Sequence, residues 1–262
     1  MRYASLLALA CLAPIAAAQQ PSTDSPYKVL KSVRVGGEGG SDYINADVAG
    51  RRLYIPRGGT RAIPATATTP ATPEVPGRIT VFDLETLAPV GEIPGTGGQG
   101  AVVDPKSNHG FSSSTPVSMF DSKTLTLIKT IDVGAARSDG ILFDPSSERV
   151  YIFSHPTKNA TVIDAKDGTV IGTIDLGGVP EEAVSDGKGT LYVVMQDAQG
   201  GVAVVDTKAM KTTGHYLFGE HGGCNGLALD AKNHVLFAAC ARSGTESDPT
   251  MVVLSATDGK IL

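Results

Sequence analysis

The chain has no tryptophan, and its aromatic residues make up only 5% of 262. A tryptophan-derived cofactor is thereby excluded, and stacking platforms for single-stranded nucleic acid are scarce. Cysteine occurs three times and never as Cys-x-x-Cys. That excludes a c-type haem attachment and a four-cysteine zinc site. Basic residues number 22 against 27 acidic, giving a net charge of −5, and no block of five like charges occurs. Without a basic stripe, nucleic acid is not an expected partner. Past the N-terminus no apolar stretch is long enough to cross a bilayer, so no transmembrane segment is expected.

What is present begins with an address. Arg2, an apolar stretch over residues 3–15 and Ala16-Ala17-Ala18 read as a secretory signal peptide, cleaved after Ala18. Residues 19–27 then form a flexible N-terminus, and the mature protein is expected in the periplasm or secreted. Cys11 follows Ala8-Leu9-Ala10, a poor lipobox, so lipid attachment there is not expected. Export places the other two cysteines, Cys224 and Cys240, in an oxidising compartment. A turn near residues 230–234 sets them opposite each other on adjacent strands. They either form a disulfide or remain two small buried thiols.

The chain is also rich in punctuation, with 31 glycines and 16 prolines. That suits many short strands. Five segments share one pattern, an apolar stretch ending in Asp, then a polar turn, then a strand bearing an aromatic. The anchors are Asp47, Asp104, Asp144, Asp186 and Asp230, spaced 57, 40, 42 and 44 residues apart. Their aromatics are Tyr54, Phe111, Tyr151, Tyr192 and Phe237. A further strand signal recurs as ITVFD, VSMFD, ATVID, VAVVD and MVVLS, and a last one as LIKTIDVG, VIGTIDLGG and TTGHYLFG. Units of about 42 residues with four strands, a to d, predict an all-β protein built as a β-propeller of four-stranded blades. About five blades are present over residues 28–262. The long first spacing holds a Pro/Thr/Ala-rich insertion, residues 60–76, read as a mobile loop without periodicity.

These repeats resemble the YVTN family of β-propellers, the YncE-like exported proteins. YIPR, YIFS and YVVM stand where that family has Tyr-Val-Thr-Asn, and V-x-D and G-T-I-x-V-G-like segments follow. The resemblance implies a seven-bladed ring. WD40 propellers are excluded, because Trp-Asp cannot occur here. The segment KVLKSVRVGG, residues 28–37, looks like a lone strand d, and the chain ends at DGKIL, mid-strand by comparison with the third unit. Either a five-bladed ring closes on residues 28–37, or a seven-bladed protein is truncated at its C-terminus; the resemblance favours truncation.

In a propeller the strands a line the axis, and the d–a and b–c loops share one face. Five residues before each anchor stand Asp42, Gln99, Asp139, Glu181 and Asn225, all carboxylates or amides, with Glu182 beside Glu181. They are expected to ring the axial funnel or, alternatively, to cap turns. Converging oxygens suit Ca²⁺ or a polyhydroxylated ligand, with Asp42, Asp139 and Glu181 as the metal ligands. The b–c loops add Arg57, Arg61, His155, Gln196 and Arg242, and His221 precedes the fifth strand a. Arginine and histidine there would hold a polar or anionic group. The Asp-rich turns are read as structural. Gly95-x-Gly97-x-x-Gly100 precedes a strand rather than a helix, so it is no dinucleotide site.

The reading that follows is an exported binding or scaffold module with a funnel site for a protein, polymer or small polar ligand, and no catalytic residue of its own. The first alternative is a Ca²⁺-dependent lactonase-like or esterase-like hydrolase using the axial carboxylates. The second is a subunit associated with a quinoprotein or electron-transfer system, since amine-dehydrogenase chains resemble this fold.

Overall fold

Each repeat turns on an aspartate that accepts hydrogen bonds from the backbone just ahead of it. Gly50 N–H donates to Asp47, those of Lys106 and Ser107 to Asp104, and those of Ser146 and Ser147 to Asp144. Lys188 and Thr190 serve Asp186, and Lys232 and Asn233 serve Asp230. Asp83, Asp121, Asp164 and Asp206 do the same at the second turn of each unit. A residue with positive φ follows four positions on, as at Arg51, Asn108, Glu148 and His234. The anchors therefore make tight β-turns that fold each unit back on itself.

A computed structural model describes residues 27–36, 39–134, 137–197, 200–219, 221–243 and 249–262. Residues 27–36 carry no strand or helix, against the expectation of a strand d there. An extended segment becomes a strand only with a hydrogen-bonded neighbour. Residues 1–26, on which the expected signal peptide (1–18) falls, lie outside the described residues.

Residues 37–262 form a compact body that is all-β over its described residues. Blade 1 is β1 (Asn45–Asp47), β2 (Arg52–Arg57), β3 (Arg78–Asp83) and β4 (Pro89–Pro94). Blade 2 is β5 (Ala101–Asp104), β6 (His109–Ser112), β7 (Val117–Asp121) and β8 (Thr126–Ile131). Blade 3 is β9 (Ile141–Asp144), β10 (Arg149–Ser154), β11 (Asn159–Asp164) and β12 (Val170–Asp175). Blade 4 is β13 (Pro180–Ser185), β14 (Thr190–Met195), β15 (Gly201–Asp206) and β16 (Lys211–Leu217). Blade 5 is β17 (His221–Asp230), β18 (Val235–Ser243) and β19 (Thr250–Ser255). Every sheet is an antiparallel meander in chain order, and a bridge from Leu254 to Ile261 extends the fifth.

The cores lie between blades, not within them. Tyr54, Ile79, Val81 and Ile93 of blade 1 pack on Ala101, Val103 and Phe120 of blade 2. The alternate residues Val102, Phe111 and Met119 turn the other way, onto Val150, Ile152 and Ile163 of blade 3. Tyr151, Phe153 and Val162 then meet Leu191, Val193 and Ala203 of blade 4. Blades 2, 3 and 4 thus bury both faces, which is why their inner strands are largely apolar. Complete burial of one such side chain contributes about 1.5–3 kcal/mol. The first strands of successive blades neighbour one another: β1 with β5, β5 with β9, β9 with β13, β13 with β17.

Residues 60–76 hold no named strand and only isolated bridges. Thr60 pairs with Val75 and Ile63 with Thr72, and across the turn Thr66 N–H donates to the Thr69 carbonyl while Thr69 N–H donates to the Thr66 hydroxyl oxygen. This is a hairpin-like excursion. Pro64, Pro70, Pro73 and Pro76 remove ladder donors, which leaves isolated bridges in place of continuous strands.

Candidate functional site

Strand alternation alone would send Glu181 and Glu182 to opposite faces. Between Pro180, opposite Met195, and Ala183, opposite Val193, blade 4 carries one extra residue. That bulge lets two successive carboxylates open onto one cavity. Blade 5 repeats the device. Cys224 faces Cys240 and Gly226 faces Ala239, so Asn225 is the extra residue.

The cavity holds about 550 Å³ and draws on all five blades. Asp42, Tyr43 and Asn45 line it from blade 1, Ala101 and Val102 from blade 2, and Ile141 and Leu142 from blade 3. Glu181, Glu182 and Ala183 come from blade 4, and Asn225 and Gly226 from blade 5. Of the five positions before the anchors, Asp42, Glu181 and Asn225 thus line one space. Gln99 lies with Asp42 in a neighbouring recess of about 420 Å³.

Asp139 reaches this site through His155. The His155 Nε2 sits 2.9 Å from Asp139 Oδ2 and 3.3 Å from Glu181 Oε1. Both carboxylates are buried, with side chains 3% and 7% exposed. Gln196 Nε2 donates to Glu181 Oε1 at 2.6 Å, and the Tyr43 hydroxyl donates to Glu181 Oε2 at 2.6 Å. Arg137 Nη2 lies 3.4 Å from Asp139 Oδ1. His155 and Gln196 leave strands b, while Asp139 and Glu181 enter strands a, so the two loop sets do meet on one face. Gly140 makes the approach between blades 3 and 4 possible, since a Cβ there would lie 2.8 Å from the Glu181 carbonyl oxygen.

Burial raises the Glu181 carboxyl above the usual range, with the Asp139 charge adding to it and the Tyr43 hydrogen bond opposing it. Burial likewise raises Glu182, against the hydrogen bond it accepts from Leu227 N–H at 3.0 Å. The Tyr43 phenol is pushed far up by burial, then by Glu181 and the other carboxylates, so it stays a proton donor to Glu181.

The remaining expected residues are more scattered. Arg57 Nη1 donates to the Gly39 carbonyl at 3.0 Å, and Arg61 is exposed on the 60–76 excursion. His221 opens β17 with its backbone opposite Ser243, and its Nδ1 is buried without a hydrogen-bond partner. The Arg242 backbone pairs with Gly222, and its side chain lies outside the described residues. Cys224 and Cys240 form a disulfide joining β17 to β18. Among the described residues one group of His, Cys, Asp or Glu converges as metal ligands do: Asp139, His155 and Glu181. Asp42 does not belong to it. Tyr43 was missed from the sequence because an aromatic beside a candidate ligand carries no spacing signal.

No protein-family model matches the sequence, and no curated protein matches it. Among solved structures the chain is similar to Kuenenia stuttgartiensis hydrazine synthase, a β-propeller-containing protein, with a TM-score of 0.66 at 15% identity. The match covers 90% of this chain and 68% of that one. At that identity the likeness concerns the fold, and with the five antiparallel sheets it makes this chain a β-propeller.

Proposed function

We propose that this chain is an exported, YVTN-like propeller that binds a small cationic or polyhydroxylated ligand in its axial cavity, as a binding module. The observation that carries this reading is the convergence of Asp42, Glu181, Glu182 and Asn225, from three blades, on one cavity of about 550 Å³. Such a space takes a small ligand, and its oxygen-rich wall suits cations and hydroxyl groups over anions. Export is supported by the signal-like N-terminus and by the disulfide. Among the described residues no helix is long and apolar enough to cross a membrane.

The test is a thermal melt of the whole chain, with and without EDTA, against a panel of small amines, amino sugars and polyols. A ligand that fills the cavity raises the midpoint by mass action. The rise should shrink in Glu182→Gln and Asn225→Ala. A panel without any response, or responses unchanged by both substitutions, would overturn the reading.

A further inference from the structure

Glu181 lines the cavity, and the Asp139–His155–Glu181 group it belongs to is more than a patch of negative charge. Its three candidate ligand atoms all lie within 4.8 Å of one another. A metal bound through bonds of about 2.1 Å at tetrahedral or octahedral angles sets neighbouring ligand atoms about 3.0–3.4 Å apart. The separations of 2.9 and 3.3 Å from Nε2 to the two carboxylates match that edge length. The Nε2 atom is buried, yet no acceptor lies along a hydrogen-bonding direction from it, although both carboxylate oxygens are close. A proton there is poorly used. A cation between the three atoms would satisfy all of them.

The supporting groups also fit. Metal-bound carboxylates are held by outer hydrogen bonds. Glu181 takes one from Gln196 and one from Tyr43, and Arg137 lies beside Asp139. Two blades supply the ligands: Asp139 and His155 flank strands of blade 3, and Glu181 belongs to blade 4. Binding would therefore clamp those blades together.

We propose that Asp139, His155 and Glu181 bind one late first-row divalent cation, of which Zn²⁺ is the representative, with its remaining position open to the axial cavity. Imidazole with two carboxylates selects this class. Ca²⁺ wants six or more oxygens and no nitrogen. The proposal rests on the axial cavity being a binding site, and it narrows the ligand class to molecules with an oxygen or nitrogen donor for that open position. It replaces Asp42 by His155 in the expected ligand set. The imidazole must be neutral, with its proton on Nδ1, for Nε2 to ligate.

The experiment uses the tag-free whole chain, stripped with EDTA and dialysed, then titrated with Zn²⁺, Co²⁺ and Ca²⁺ by calorimetry. Co²⁺ binding is also read by its visible absorption. One Zn²⁺ per chain is expected, with affinity falling about tenfold or more in His155→Gln and in Asp139→Asn. Glu182→Gln should bind Zn²⁺ as the wild type does while losing the small-ligand response, which separates this site from the wider cavity. Absence of one-per-chain Zn²⁺ binding by the folded wild type would overturn the proposal. So would Zn²⁺ affinity unchanged in His155→Gln, whose partly exposed side chain makes it the variant least prone to misfold.

Discussion

Gly140 is where the geometry of the cluster can be perturbed without touching a ligand. It follows Asp139, and its carbonyl accepts the Phe153 N–H at 2.9 Å. A Cβ at this position would stand 2.8 Å from the Glu181 carbonyl oxygen and 3.3 Å from Phe153 Cδ2. Non-bonded heavy atoms rest about 3.5 Å apart, so Gly140→Ala forces blades 3 and 4 apart by roughly 0.7 Å at this point. The first contact is backbone, which cannot rotate away. Overpacking of this kind costs about 1–3 kcal/mol. Restricting the unfolded chain returns about 0.4–1 kcal/mol, because the φ at Gly140 is not in the left-handed region. The net loss is about 1–2 kcal/mol. For a chain of this size that lowers the melting midpoint by about 2–8 °C. The same shift stretches the His155–Glu181 separation, so Zn²⁺ affinity should fall along with stability. Calorimetric melts with and without Zn²⁺ read both effects. A variant that melts within a degree of the wild type and binds Zn²⁺ equally would refute the claim that the Gly140 contact sets the distance between the two blades.

Removing the disulfide should be more costly. Cys224 and Cys240 are 16 residues apart, and closing such a loop stabilises by about 3 kcal/mol in the chain-entropy picture. The double variant Cys224→Ser/Cys240→Ser should melt about 6–12 °C lower, and reductant should shift the wild type but not the variant. Equal midpoints with and without reductant would contradict this. Glu182→Gln tests the electrostatics of the cavity. Burial raises the Glu182 carboxyl, so the folded chain holds that proton to higher pH than the unfolded chain. Its contribution to stability is complete below the ordinary carboxylate range and is lost as pH rises through the raised value. Relative to the wild type, Glu182→Gln should therefore gain stability by a few degrees at pH 7.5 and gain little at pH 4. The reverse order in melts at the two pH values would show that the carboxylate is better stabilised than its burial suggests.

The anchors explain why so much of the fold can be read in advance. Each of Asp47, Asp104, Asp144, Asp186 and Asp230 makes hydrogen bonds within four residues of itself, and local bonds of this kind leave a local mark on sequence. The alternation of Val102 with Ala101 and Val103 likewise reports two buried faces directly. The excursion over residues 60–76 leaves no such mark. Its pairs, Thr60 with Val75 and Ile63 with Thr72, are spaced by prolines and show no period of two.

The site follows a harder rule. Counting back from the anchors finds the five positions at the mouths of strands a, because the turn sets the count. It cannot tell which of them meet. That depends on bulges, which are a mismatch between two strands and belong to neither sequence alone. At Glu181–Glu182 the extra residue gives one blade two carboxylates on the cavity; at Asn225 it turns an amide inward beside the disulfide. It also depends on Gly140, whose missing side chain brings Asp139 and His155 within reach of Glu181. Gly140 reads in the sequence as one more turn glycine, since nothing local distinguishes close approach from a bend. Repeat periodicity thus locates the mouths of the strands, while chemical individuality enters where blade 3 meets blade 4. That junction departs from the repeat in two ways at once, by a paired glutamate and by a histidine where other blades have none. Departures from an internal repeat are therefore the places in this chain where a binding role is to be sought.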